Sequence, residues 1–392
     1  MHTVETLCNS IAFLLEAGAG AGIVYTVVSC ISISRFLESH ASDTSPCCPG
    51  VTVIKPLCGD EWNLSEHLGS FLVQDYAGPV QYIFGVCDAE DIALKTVSML
   101  RHRFPEQDIT IVTDARLYGS NRKIANLINM MSHAAYDVIC FADSDVLVDR
   151  SYLRKIVSAL QQPGVGVVTC AYRSVCAPGF WSRVGAAMTD YHFLPGVITG
   201  LLIGRARPCF GQTIAMTRST LSQIGGLEQF SDHLAEDYAI GDAVRRIGLT
   251  VAIPRFFVCH ARAEKTLSQL CAQELRWSRT VYAADRRGHQ GAVFMHPLSL
   301  AVLATLASMG SPVAVALVGA SLAARMLLVF LMNAATGRRQ EQLWWLPLCD
   351  VLQFSIYVGS FCSTRVTWRG EKFQVSKNGL LSSADASDFP PK

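Results

Sequence analysis

Asp143 and Asp145 stand one residue apart, directly after the apolar run Val138-Ile139-Cys140-Phe141-Ala142. Two carboxylates at that spacing can share a hard divalent cation and, through it, a diphosphate. Asp88 follows a second apolar run, residues 82–87. Glu236-Asp237 comes later, then Gln273-Glu274-Leu275-Arg276-Trp277. An acidic cluster followed by an amide, a guanidinium and an indole in one short stretch suits group transfer from a phosphorylated donor.

The elements that must position these side chains read as alternating strands and helices. Residues 51–57, 81–87, 109–113, 138–142 and 165–170 have the apolar runs of buried strands. Residues 63–74, 89–103 and 122–135 read as the helices between them. Asp149 is predicted to N-cap a helix running to Gln161, stopped by Pro163-Gly164. Repeated β-α alternation predicts an α/β fold with a doubly wound parallel sheet. Ligands in such sheets gather at the carboxyl ends of the strands, where Asp88 and Asp143 fall.

The ends of the 392-residue chain read differently. Half of all residues are hydrophobic, only 17% are charged, and mean hydropathy is positive, which suggests membrane segments. Residues 10–36 are mostly apolar, with Glu16 as the sole acid and Arg35 at the inner edge. That run exceeds the roughly 20 residues a span needs. It is too long, and lacks the leading positive charge, for a cleaved signal peptide. From Met295 to Gly337, Arg325 is the only Lys, Arg, Asp or Glu, and Gly310-Ser311-Pro312 divides the stretch into two expected spans. Residues 342–362 form a further candidate, interrupted by Asp350. Arg325 and Asp350 would pair, face a lipid-binding cleft, or snorkel to an interface. Arg35, Arg338-Arg339, Arg365, Arg369 and Lys372 belong on the cytoplasmic side. This needs an odd number of crossings, so one of the four candidates is expected to be re-entrant or interfacial, the last being the weakest. The expected divisions are an anchor at 1–37, a linker at 38–50, the α/β domain at 51–288, a membrane region at 289–363 and a cytoplasmic tail at 364–392.

A formal net charge of +1 gives no global drive toward nucleic acid. The 14 cysteines contain no Cys-x-x-Cys pair or zinc spacing and read as buried free thiols in a reducing compartment. His192, His233 and His260 form no metal-ligand spacing and read as structural or surface residues.

Sugar transfer from a nucleotide diphosphate makes three demands. Charge on the departing diphosphate must be neutralised, the acceptor hydroxyl must lose a proton, and the anomeric carbon must be held between them. Asp143 and Asp145 suit the first through Mg²⁺ or Mn²⁺, which oxygen-only ligation favours over zinc. Arg276, Lys55 and Lys123 are candidates for fixed positive charge beside the phosphates. Asp237, beside Leu234 and Ala235, suits the second as a general base with a raised pKa. Trp277 offers an apolar face to a sugar or acceptor.

The order Asp88, Asp143, Asp237 and Gln273-x-x-Arg276-Trp277 resembles the D, D, D, Q-x-x-R-W signature of ceramide glucosyltransferases (glycosyltransferase family 21 type) and their bacterial relatives, including hopanoid-associated glycosyltransferases. Val53-Ile54-Lys55-Pro56-Leu57, Lys123-Ile124-Ala125-Asn126-Leu127, Gly225-Gly226-Leu227 with Ala235-Glu236-Asp237-Tyr238, and Thr367-Trp368-Arg369-Gly370 extend the likeness. The resemblance implies a GT-A nucleotide-sugar domain facing the cytosol, held by an N-terminal anchor and C-terminal spans. It implies inverting transfer of one sugar from a UDP-sugar to a lipid hydroxyl. Asp88 would hold the nucleotide, Asp143 the metal and diphosphate, and Asp237 the acceptor proton. Gln273, Arg276 and Trp277 would close over the donor. The ceramide enzymes typically carry Asp-Ser-Gly where this chain has Asp143-Ser144-Asp145. That departure leans toward a bacterial inner-membrane relative acting on a hopanoid, with a Golgi or ER enzyme as the alternative.

Each acid has a plainer reading. Asp88 and Asp143 singly suit strand-end turns, and Glu236-Asp237 singly suits an exposed helix start. Their combination with Gln273 to Trp277 favours a site. A processive polysaccharide synthase would use the same signature but need more spans. A lipid-binding scaffold would have no reason to hold the acids.

Overall fold

The computed structural model describes residues 2–38, 47–337, 344–362, 365–368, 371–376 and 380–383. Two compact units emerge. One comprises Met1–Ser39, Pro178–Ala206 and Glu264–Thr364; the other comprises His40–Ala177, Arg207–Ala263 and Arg365–Lys392.

The chain begins with helix α1 (His2–Glu38), then alternates: β1 (Val51–Pro56), α2 (Leu64–Leu72), β2 (Val80–Val86), α3 (Ala93–Arg103), β3 (Asp108–Thr113), α4 (Arg122–Met131) and β4 (Val138–Phe141). Next come β5 (Val146–Leu147), α5 (Tyr152–Leu160), β6 (Val165–Thr169) and β7 (Ala171–Cys176). An excursion through α6 (Phe180–Met188), a π-helical turn (Thr189–Phe193) and α7 (Leu194–Leu202) precedes β8 (Ile214–Thr217), α8 (Arg218–Gln223), α9 (Glu236–Arg246), β9 (Thr250–Ala252) and β10 (Phe257–Arg262). Helices α10 (Leu267–Ala284), α11 (Arg286–Gly291), α12 (Pro297–Ala307), α13 (Pro312–Thr336) and α14 (Leu346–Ser360) follow, then strands β11 (Arg365–Trp368), β12 (Glu371–Val375) and β13 (Leu381–Ser383).

The α/β unit is built on a seven-stranded sheet of order β3-β2-β1-β4-β8-β6-β9. β1 runs parallel to β2 and β4, with Val53 opposite Tyr82 and Cys140. Val51 to Lys55 are all buried, as expected for a parallel strand covered on both faces. Ile124, Leu127 and Met130 of α4, with Ile240 and Val244 of α9, share a core with Ile54, Ile83, Ile139 and Met216 of the sheet. The sheet is not wholly parallel, as the alternation predicted. β8 runs antiparallel to both β4 and β6. It spans four residues, too few for its direction or alternation to show in sequence.

The chain leaves β1 toward β2 and β3 on one side and returns to β4 on the other. The carboxyl ends of β1 and β4 therefore flank a topological switch point, where such sheets bind ligands. Ala142 N donates to Ile54 O at 3.1 Å there, and the Asp143 loop opens immediately beyond. A second sheet, β5-β10-β7, pairs β10 parallel to β7 and antiparallel to β5.

Asp149 does not occupy the N-cap of α5. Ser151 does, and the Asp149 carboxylate accepts from Ser151 N at 2.8 Å, so the acid forms the turn that leads into the helix.

Among the described residues of the helical unit, two helices are long and apolar enough to cross a membrane: residues 6–36 within α1, and α13. Of the four candidate segments, one of them expected to be re-entrant or interfacial, these helices account for two. α12 has 11 residues and α14 has 15, about 16 and 22 Å of helix against a hydrocarbon core near 30 Å. Residues 286–295 and 297–307 together form a pair bent by 67°, which counts as one further span at most. Ala19 of α1 packs with Leu300 and Ala301 of α12. Among the readings of Arg325, pairing holds: its guanidinium bonds the Asp350 carboxylate, and Nη1 donates to Tyr191 O at 2.6 Å. A half-buried arginine and a buried aspartate that neutralise each other join α13 to α14 within an apolar bundle. All 14 cysteines are free thiols.

Residues 39–46 of the expected linker, Arg338-Arg339 and Arg369-Gly370 lie outside the described residues.

Candidate active site

Four segments of the α/β unit converge on one acidic cradle. The first is the loop after β4, carrying Asp143 and Asp145. Lys55, wholly buried on β1, donates from Nζ to the Asp143 carbonyl at 2.7 Å and lies 3.5 Å from the centre of the Phe71 ring. Burial pulls the Lys55 ammonium down to about 7. Its place is beneath the loop, holding the backbone.

The second segment is the start of α4. Asn121 caps it, its side-chain oxygen accepting from Lys123 N and Ile124 N. Lys123 Nζ lies 2.7 Å from Asp143 Oδ1 and 2.9 Å from Glu236 Oε1. Burial opposes the ammonium, but the two carboxylates outweigh it and hold Lys123 above the ordinary lysine range.

The third segment is the start of α9, with Glu236 and Asp237 in its first turn. Glu236 is buried, not exposed as a helix start alone would be. Asp237 Oδ2 accepts from Gly211 N at 2.9 Å, and Oδ1 accepts from Tyr238 N at 2.7 Å. Burial, then the neighbouring Glu236, pushes the Asp237 carboxyl up to about 7, against the pull of Lys123. A Cβ added at Gly211 would stand 2.8 Å from Lys123 Nζ, 3.3 Å from Asp143 Oδ2 and 3.6 Å from Asp237 Oδ2. The cradle therefore brings Lys123, Asp143 and Asp237 around one glycine.

The fourth segment is β10. His260 Nε2 lies 3.1 Å from Asp145 Oδ2, and Ala261 N donates to Asp145 O at 2.9 Å. Burial opposes the Asp145 carboxylate, but His260 and then Lys55 outweigh it and hold Asp145 down at about 2. His260 is thus buried beside the cradle acids, the structural rather than the surface side of its reading. Sequence spacing carries no trace of this, because the contact spans 115 positions and depends on β5 pairing with β10.

The donor set fits a hard divalent cation. Asp145 Oδ1 is buried with no hydrogen-bond partner, and the neighbouring carboxylate supplies further oxygen. Among the described residues no three His, Cys, Asp or Glu side chains form a complete ligand set. Hard divalent cations are commonly held by one or two carboxylates plus waters and substrate phosphates.

Four sequence candidates remain. Asp88 is exposed after β2, its Oδ1 accepting from Glu90 N at 2.9 Å, which is the turn geometry expected of a strand-end Asp. Gln273, Arg276 and Trp277 stand on α10 of the helical unit, at positions that share one helix face. Sequence reasoning passed over Asn121 and Gly211. An Asn directly before a helix is a legible cap signal, whereas the closeness of Gly211 to three charged side chains exists only in the fold.

Residues 14–381 match the sequence profile of glycosyl transferase family 21. The chain belongs to that family. Similar proteins include ceramide glucosyltransferase 1 of Caenorhabditis elegans, 26% identical over 275 residues, covering 68% of this chain and 58% of the relative. Ceramide glucosyltransferase 3 of the same organism is 23% identical over 252 residues, covering 63% and 54%. The chain thus spans just over half the length of these relatives. A mannosyltransferase from Pyrobaculum calidifontis, solved in complex with GDP-Man and Mn2+, is 20% identical and covers 90% of this chain and 99% of its own, with a TM-score of 0.52. That likeness establishes a shared GT-A-type fold.

Proposed function

We propose that this chain transfers one sugar from a UDP-sugar, UDP-glucose or UDP-N-acetylglucosamine, to a lipid hydroxyl by a single inverting displacement. The observation that carries the reading is Asp237. Its carboxylate is held by two backbone N–H groups in the cradle with Lys123 and Asp143, and is pushed up to about 7. That value suits a group that must take a proton near neutrality.

Asp237 accepts the proton of the acceptor hydroxyl as its oxygen bonds to the anomeric carbon. The bond from that carbon to the diphosphate oxygen breaks, and its electron pair leaves with UDP. Attack opposite the leaving group inverts the anomeric centre. Lys123 stays cationic between Asp143 and Glu236 and keeps their negative charges from crowding the diphosphate. Asp143 and Asp145 would hold Mg²⁺ or Mn²⁺, which when bound neutralises charge on the leaving diphosphate. Asp88, Gln273, Arg276 and Trp277 serve donor binding in this reading, and Lys55 serves it indirectly by fixing the Asp143 carbonyl. α1 and α13 anchor the chain in a membrane, with the α/β unit on the cytosolic side as Arg35 at the end of α1 favours. Both hopanoid and ceramide hydroxyls fit the chemistry, as do the bacterial inner membrane and the Golgi or ER.

Among the described residues the spans number two, or three with the bent pair. That disfavours a processive synthase, which needs a channel for its polymer. Mass spectrometry of lipids from a non-native host expressing the chain tests the reading: lipids carrying one added sugar support it, and a ladder of longer products contradicts it.

Gly211→Ala tests the cradle itself. The glycine has no positive φ, so alanine meets no backbone strain there. Its methyl would crowd Lys123 Nζ, which two carboxylates pin. Displacement of reacting groups by up to an ångström should slow transfer about 100-fold with the fold retained. Steady-state kinetics at the wild-type rate would remove Gly211 from the cradle.

A further inference from the structure

Lys123 and Asp237 stand on different helices, α4 and α9, whose starts lie more than a hundred positions apart in sequence. Something must fix one helix start against the other, and the bonds between residues 119–121 and 231–236 do so. Asn121 N donates to Ser231 O at 2.7 Å, and Ser120 N donates to Asp232 Oδ1 at 2.8 Å. A Cβ on Gly119 would meet Ser231 O at 2.7 Å, so the two backbones approach as closely as glycine allows.

The Asn121 side chain completes the join. It is wholly buried. Its oxygen accepts from Lys123 N at 3.0 Å and Ile124 N at 3.1 Å. Its amide Nδ2 donates to His233 O at 2.9 Å and to Glu236 Oε2 at 3.3 Å. Two backbone donors on one side and a carbonyl plus a carboxylate on the other leave the amide a single orientation. Glu236 Oε1 in turn holds Lys123 Nζ. One side chain therefore caps the helix of the cation and grips the turn and carboxylate that begin the helix of the base.

We propose that Asn121 is a positioning residue for transfer, setting Asp237 and Lys123 against each other from beneath. The inference rests on the sugar-transfer reading for its consequence on rate, but its geometric content is separate. The cap and the grip use different atoms, so substitution can separate them. Ser is as good an N-cap acceptor as Asn, yet its short hydroxyl does not reach His233 O and Glu236. Asn121→Ser keeps the cap and removes the grip. Asn121→Asp keeps a capping oxygen and replaces the donating amide with a like charge facing Glu236.

The test uses the full chain in lipid nanodiscs with UDP-glucose and lipid acceptor, alongside amide hydrogen exchange and thermal melting. Both variants are expected to lower kcat about 100-fold while donor KM and Tm stay near wild type. Exchange should quicken at Gly211 and Tyr238, whose amides donate to Asp237, while Lys123 and Ile124 stay protected. Unchanged exchange at Gly211 and Tyr238 would overturn the proposal, as would a rate loss matched by a fall in Tm in both variants. If the wild-type chain transfers no sugar, the function reading fails, and the exchange measurement still decides whether Asn121 sets Asp237.

Discussion

Asp237→Asn is expected to slow sugar transfer by roughly 100- to 10,000-fold, the range lost when a positioned general base is removed. Asn matches Asp in size but cannot take a proton, and its amide nitrogen gives up one of the two backbone N–H bonds that Asp237 accepts. Donor binding should be kept, because the substitution leaves Lys123, Asp143 and Asp145 in place. The loss should fall on kcat rather than on donor KM, the pattern of an interaction made only in the transition state. Wild-type turnover would remove Asp237 as the base. The wild-type pH profile has a definite sign. The Asp237 carboxyl is pushed up to about 7, so it is charged above that value and protonated below it. Only the charged form accepts a proton. The rate should hold steady on the alkaline side and fall about tenfold per pH unit on the acid side. In Asp237→Asn that acid limb should vanish from whatever activity is left.

Asp143→Ala should weaken divalent cation and UDP-sugar binding together, by more than about 100-fold, since even an outer partner of a metal ligand costs up to that much. The carboxylate is lost from the set it shares with Asp145, and Lys123 loses one of the two acids between which it lies. Titration calorimetry with Mn²⁺, and with UDP-glucose in the presence and absence of Mn²⁺, reads both affinities. Chelation of the wild-type enzyme should reproduce the defect. Activity indifferent to chelation would separate the cradle from any metal.

Much of this arrangement was legible before folding. Strands β1, β2 and β4 are apolar runs buried on both faces, and such runs identify themselves. The acids follow them because ligands gather at strand ends, and the helix starting at Arg122 announces itself by the Asn before it. β8 was not legible, since four residues set no period, and with it went the mixed character of the sheet. The shortness of α12 was not legible, because apolar composition reports a lipid or core environment but not where a helix stops. Met309 and Gly310, both at positive φ, stop the chain between α12 and α13. The partners of the acids were the least legible. Lys123 meets Glu236 and His260 meets Asp145 across more than a hundred residues, and no local spacing encodes such a contact. His260 looked like an isolated histidine because its meaning lies in the pairing of β10 with β5. Asp145, which first suggested a departure from the ceramide enzymes, acquires a physical role from this pairing: a carboxylate held ionised at the switch point, with one oxygen left for a ligand.

Transfer of a single sugar onto a lipid is the chemistry proposed for this cradle. Its most direct measurement is mass spectrometry of total lipids from one host expressing the wild-type chain or Asp237→Asn at equal levels. The wild-type extract should hold a lipid with one added sugar, and the variant extract none or a trace. The same glycolipid at equal abundance in both, or products bearing several sugars, would contradict it.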